Sequence, residues 1–153
     1  MKDPQRPELR NAARALLLDP DGRVLLLRGS DPAAPEAGTW WITPGGGLEP
    51  GEDARAAVAR EVAEETGHVV RDLVGPVLRR SSVFPFDGRL IEQRELYFTA
   101  RTPAFEATDH GWTELERRAL VESRWWTLDE LRATGETVHP EGLADLVSRV
   151  LHV

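Results

Sequence analysis

Gly46-Gly47-Leu48-Glu49-Pro50-Gly51-Glu52-Asp53-Ala54-Arg55-Ala56-Ala57-Val58-Ala59-Arg60-Glu61-Val62-Ala63-Glu64-Glu65-Thr66-Gly67 is the stretch that decides the reading of this chain: a glycine-rich loop running into a helix that carries four chemically loaded residues. Helical spacing of three and four puts Glu61, Glu64 and Glu65 into one patch about a turn long. At roughly 5.5 Å and an effective dielectric near 20, each like-charged pair repels by about 3 kcal/mol. A fold that keeps such a cluster has a use for a cation there. The bland alternative is a solvated acidic face, where water reduces the repulsion below about 1 kcal/mol per pair.

The spacing argues against that alternative. Gly46, five residues, Glu52, seven residues, Arg60-Glu61-Val62, one residue, Glu64-Glu65, one residue and Gly67 is similar to the Nudix box of hydrolases that cleave nucleoside diphosphates linked to another group. One position departs: His68 stands where that family has an aliphatic residue, at a helix exit where an apolar side chain commonly packs back on the last turn. The resemblance implies a fold, α/β (α+β), built as an αβα sandwich with a mixed β-sheet. It also implies Mg2+ or Mn2+, hard cations that suit carboxylate oxygens and take further ligands from substrate phosphates. By the same resemblance Glu61 and Glu65 are metal ligands, Glu64 is a ligand or the base, and the Gly45 carbonyl is a further ligand. Glu52 and Arg60, eight residues apart, would brace the loop and orient those carboxylates. Gly46 and Gly47 would let backbone approach metal and phosphate.

Outward from the box, the order of elements is read from apolar runs and turn formers. Residues 1–9 are expected to be a flexible N-terminal segment and residues 10–153 one domain. Arg10 to Leu18 reads as a strand, Asp19-Pro20-Asp21-Gly22 as a turn, and Val24 to Arg28 as the hairpin partner. A proline-rich loop reaches Gly38, Trp40-Trp41-Ile42 makes a short buried strand, and Pro44 to Gly47 ends it. The box helix carries Ala54, Val58 and Val62 on its core stripe. Val69 to Ser82 reads as a strand interrupted at Gly75-Pro76, Phe84 to Gly88 as a turn, and Leu90 to Ala100 as the next strand. Arg101 to Glu116 reads as a long loop bordering the site. Thr127 caps a short helix through Leu131, and Glu141 to Leu151 forms the last helix.

Composition narrows the function classes. With 26 acidic and 19 basic side chains in 153 residues, the net charge of −7 disfavours long nucleic acid and suits a small, metal-escorted nucleotide. There is no cysteine, hence no disulfide framework or thiolate zinc site, and the cysteine-dependent isopentenyl diphosphate isomerase branch of this fold is disfavoured. The lack of a basic tract counts against a messenger cap hydrolase. No apolar run approaches membrane-spanning length, so a cytoplasmic protein is expected, with a homodimer left open.

The activity this implies is hydrolysis of a phosphoanhydride in a nucleoside diphosphate linked to X, an adenosine diphosphate ribose-like compound, a dinucleotide or a nucleoside triphosphate. A non-catalytic nucleotide-sensing or interaction module is the alternative. Arg28 is a candidate for substrate phosphate. For the general base, Glu122, preceding Trp125-Trp126, leads a field that includes Glu64, Glu92, Glu95, Glu106, Glu114 and Glu116. Pro85 and the run Ser81 to Phe86 are faint substrate hints. Trp40, Trp41, Trp125 and Trp126 read as core before nucleobase platforms, and His110 and His139 as surface residues.

Overall fold

A computed structural model describes residues 6–152. Eight strands and four helices follow in the order β1 (Glu8–Leu18), β2 (Val24–Ser30), β3 (Thr39–Ile42), β4 (Gly45–Gly47), α1 (Ala54–Thr66), β5 (Val74–Phe86), β6 (Arg89–Arg101), α2 (Glu114–Ala119), β7 (Leu120–Trp126), α3 (Leu128–Ala133), β8 (Val138–His139) and α4 (Leu143–Leu151). One mixed sheet runs β5-β6-β1-β2-β3-β8, with β4 beside β1 and β7 beside β2. The spine is the parallel pair β1 and β6, in register from Glu8 opposite Ile91 to Leu18 opposite Arg101.

Strands β1 and β2 meet only at their turn, Leu18 opposite Val24. Beyond it they part, β1 taking β4 as its antiparallel neighbour and β2 taking β3. The single stretch 39–47 therefore lines both arms of the fork. It is what brings a run of three glycines against β1, in front of α1.

The sheet has a core on each face, which makes the sandwich. Alternation along β1 sends Ala13, Ala15 and Leu17 to one side with Ala57, Val58 and Val62 of α1, and Leu16 and Leu18 to the other with Leu131 of α3 and Leu143, Leu146 and Val147 of α4. At roughly 1.5–3 kcal/mol for each fully buried aliphatic side chain, these two layers supply most of the drive for folding.

Four local expectations are corrected. Strand β1 begins at Glu8, so Glu8 and Leu9 belong to the sheet, paired with Ile91 and Glu92, while residues 1–5 of the expected flexible segment lie outside the described residues. Phe84 to Phe86 continue β5 instead of turning: only Asp87-Gly88 make the turn, with φ 50 and 77. The strand expected from Val69 starts at Val74, and its irregularity lies between Val74 and Leu78, at Gly75-Pro76. The expected loop Arg101 to Glu116 ends in a helix, α2, whose Thr113-x-x-Glu116 capping box was legible in the sequence.

Candidate metal and nucleotide site

The box helix is set by its ends and its buried stripe. Asp53 accepts the Ala56 N–H at 2.8 Å at the N-terminus, and Gly67 closes the C-terminus in left-handed backbone, φ 78. Packing Val58 and Val62 against the sheet rolls Glu61 and Glu65 toward the β4 glycines. Glu65 is only 4% exposed, and one of its oxygens accepts the Gly45 N–H at 2.7 Å. Gly45 thus touches the cluster through its amide.

Two of the glycines are there for contact distance. Gly45 has φ 146, and a Cβ on it would stand 2.3 Å from the Ala13 carbonyl oxygen; one on Gly46 would stand 2.7 Å from the Glu61 carboxyl carbon. A side chain at Gly45 would run into backbone, and one at Gly46 would displace the Glu61 carboxylate. Gly46 is accordingly packed on a carboxylate, and Gly47 gives its carbonyl to Arg60.

Arg60 is the hub of the site. It donates to both oxygens of Glu52 at 2.9 Å each, to Glu61 at 2.9 Å and to the Gly47 carbonyl at 3.0 Å, with Glu64 further off at 3.4 Å. The two-point bond from Arg60 draws the Glu52 carboxyl down to about 2, and Glu52 in turn raises the Arg60 guanidinium.

The third member of the cluster comes from outside the box. One carboxylate oxygen from each of Glu61, Glu65 and Glu116 lies within 4.8 Å of the other two. Burial, and then the neighbouring Glu61, pushes the Glu65 carboxyl well above the usual carboxylate range, and burial raises Glu61 as well. Three hard oxygen donors crowded this closely match a divalent cation of the magnesium or manganese kind. Glu64 stands apart from the trio, about one-third exposed, but lines the same cavity.

Glu116 reaches the trio because the loop before α2 docks on the end of α1. The Trp112 indole N–H donates to the Glu65 carbonyl at 2.8 Å, and the Thr108 N–H to the Thr66 carbonyl at 2.9 Å. These are carbonyls that the end of a helix leaves without intrahelical partners. Gly111 allows the approach, since a Cβ there would meet the Glu64 carbonyl oxygen at 2.7 Å. Thr113 and Glu116 then bond reciprocally, at 2.8 and 3.2 Å, to start α2. Sequence reasoning held Glu116 among several base candidates, and the capping box was the available clue that it sits on a rigid first turn.

The unusual His68 packs on the loop that follows β6. Its ring stacks on Phe105 at 4.1 Å and Nε2 lies 3.1 Å from the Thr102 hydroxyl, while burial lowers its pKa. Phe105 in turn meets Trp125 edge-on at 5.4 Å.

The carboxylates open into a cavity of about 660 Å³, within the usual range for a small-molecule site. Trp40, Phe84 and Phe86 supply aromatic wall, so Trp40 belongs to the cavity and not to the core expected for it; Trp41 and Trp126 are core, 5.1 Å apart. His110 and His139 are both exposed, and His139 also lines the cavity. Arg28 and Glu122 are brought to each other instead of to the cluster. They stand opposite on β2 and β7 with Nε 3.2 Å from Oε1, the guanidinium over Trp41, and neither is among the cavity's lining residues. The candidate base Glu122 and the candidate phosphate contact Arg28 thus face each other across the β2–β7 pairing.

Comparison with known proteins agrees with this architecture. Residues 8–146 match the family model of the NUDIX domain. A protein of Acidiphilium cryptum named RNA pyrophosphohydrolase is 33% identical over 129 residues, 80% of this chain and 76% of that protein. The uncharacterized Nudix hydrolase YvcI of Bacillus subtilis is 40% identical over 86 residues, 54% of this chain but only 48% of that protein, so the chain spans about half of that relative's length. Among solved structures, a MutT NUDIX hydrolase from Burkholderia pseudomallei superposes with a TM-score of 0.68 at 24% identity, covering 94% of this chain and 98% of that one, a likeness of fold. With the family model running from the first sheet strand into the last helix and over every residue of the carboxylate site, the chain belongs to the NUDIX domain family.

Proposed function

We propose that this protein hydrolyses a phosphoanhydride bond in a nucleoside diphosphate linked to X, using Mg2+ or Mn2+ held by Glu61, Glu65 and Glu116. The convergence of those three carboxylates within 4.8 Å, all lining one cavity of about 660 Å³, is the observation that supports it most directly. When bound, the ion would offset charge on phosphate oxygens and make a nearby water more acidic. Arg60, fixed by Glu52, holds Glu61 in place. The Gly45 N–H does the same for Glu65, and the Gly45 carbonyl would complete the ligand set. Glu64, in the cavity but outside the trio, is placed to accept the proton of the attacking water.

The relative named RNA pyrophosphohydrolase adds RNA to the substrates worth testing. The decisive experiment is a release assay across nucleotide sugars, dinucleoside polyphosphates, nucleoside triphosphates and a short 5′-triphosphate oligonucleotide, with each metal. Turnover of at least one class that vanishes in Glu65→Gln is expected. Tight nucleotide binding without turnover of any of them would favour the sensing-module reading.

A further inference from the structure

Across the strands that form one wall of the cavity runs a row of polar side chains that the hydrolytic reading leaves unused. Ser82 of β5 stands opposite Gln93 of β6, and Gln93 opposite Arg10 of β1. All three line the cavity, as does Phe84, two residues on from Ser82 and hence on the same face of β5. Arg10 reaches the box loop: a Cβ on Gly47 would stand 2.8 Å from its Nε. Gln93 therefore has the aromatic strand β5 on one side and a guanidinium turned to the box loop on the other.

Gln93 is the residue that calls for a ligand. It is 3% exposed, yet its amide makes no hydrogen bond with any of the described residues. Burying an amide without a partner is unfavourable, and a bound group that pairs with it removes the penalty. The apolar surface such a group needs is present: Phe84 and Phe86 follow Ser82 on the cavity face of β5, and Trp40 enters from β3 on the other arm of the fork, opposite Gly29. An amide presents a donor and an acceptor side by side, which matches the edge of adenine, where an amino group adjoins a ring nitrogen. Aromatic faces stack on every base, so discrimination between bases falls to the amide.

We infer that Gln93 reads the base of an adenine nucleotide stacked among Trp40, Phe84 and Phe86, with Arg10 on the side of the box loop. This assigns the base end of the nucleotide in the proposed site, and so rests on that reading of the cavity but not on turnover. The Gln93 carbonyl accepts from the adenine amino group while its N–H donates to the adjoining ring nitrogen, and the Ser82 hydroxyl stands beside the same edge. A purine without the amino group would leave the carbonyl half of the amide unpaired, the kind of loss that a site built on hydrogen bonds penalises most.

The test is calorimetric titration in Mg2+ with the 5′-monophosphates of adenosine, purine riboside, guanosine and uridine, none of which contains a phosphoanhydride to cleave. The wild type should bind adenosine monophosphate at least about tenfold more tightly than purine riboside monophosphate, which lacks only the amino group. Gln93→Leu should bring the two within about threefold of each other by weakening the adenosine ligand alone. Thermal melting verifies that the variant is folded, and Gln93→Met, closer to glutamine in length, serves the same end if leucine does not fit. Phe84→Ala should weaken both purines by at least about fivefold and keep their ratio, as loss of stacking without loss of reading requires. The inference is overturned if the wild type binds the two purines alike, if guanosine or uridine monophosphate binds more tightly than adenosine monophosphate, or if a folded Gln93 variant keeps the wild-type preference. In each of those cases nucleotide binding still supports the reading of the cavity, whereas absence of binding by all four overturns both.

Discussion

Single side chains in this site act by fixing one another. Glu65 is held by the Gly45 amide and crowded by Glu61, so Glu65→Gln keeps its shape and hydrogen bond but removes a ligand charge. It should lower turnover by about a hundredfold or more in a folded protein, as expected when electrostatic stabilisation of the transition state is lost; a steady-state assay at saturating Mg2+ checks this. Arg60→Ala frees Glu52 and Glu61 together, and the Mg2+ concentration for half-maximal activity should rise about ten- to a hundredfold. The same variant has a signature in pH. Since Glu52 is depressed to about 2 by Arg60, its stabilising contribution is complete above the ordinary carboxylate range and is lost as pH falls through about 2. Denaturation profiles of wild type and Arg60→Ala should therefore converge in strong acid. Glu122→Gln, in an exposed pair with Arg28, should leave the rate within about threefold, whereas Glu64→Gln should cost about a hundredfold. These positions mark how far the chain could be read. The meeting of Glu61 and Glu65 was legible because they stand four apart on a helix, while the pairing of Arg28 with Glu122 was not, because it depends on strand pairing that is invisible in one sequence.

At the scale of elements, the site depends on a loop finding the end of a helix. Trp112→Phe would remove only the indole N–H that meets the Glu65 carbonyl, and Gly111→Ala would push the loop off the Glu64 carbonyl. Both should weaken Mn2+ binding, measured by titration, by about tenfold or more through displacement of Glu116. Their effect on the melting temperature should be smaller than that of a core truncation such as Val62→Ala. The box loop and α1 could be foreseen from Gly, Asp53 and Gly67, residues whose local preferences coincide with their final structure. The docking loop could not, because Thr108 and Trp112 bond to carbonyls of a distant element, and the length of β5 was hidden by Pro85 within it. The fate of His68 was equally hidden, since its stacking partner Phe105 lies on that same loop.

For the molecule as a whole, the carboxylate cluster sets stability against occupancy. A folded-state pKa raised by burial means that Glu65 contributes stability at low pH, lost as pH rises through its raised value. A divalent ion should reverse that loss. At a hundredfold excess over Kd it should add about 2.7 kcal/mol, or roughly 2–4 °C of melting temperature per kcal/mol for a chain of this size. Scanning calorimetry at pH 7.5 with and without Mg2+ should show the shift in the wild type. Glu65→Gln should melt higher than the wild type without metal and respond little to it. The parallel pairing of β1 with β6 carries a different consequence, for the order of events in time. Arg14 and Glu95, 81 positions apart, meet only through that pairing. A chain emerging from a ribosome displays the whole glutamate helix long before β6 exists to complete the sheet behind it. Closing so long a loop first is slow, placing this fold toward the millisecond-to-second end of folding rates, and a nascent fragment ending before residue 89 should show no metal-dependent protection from protease.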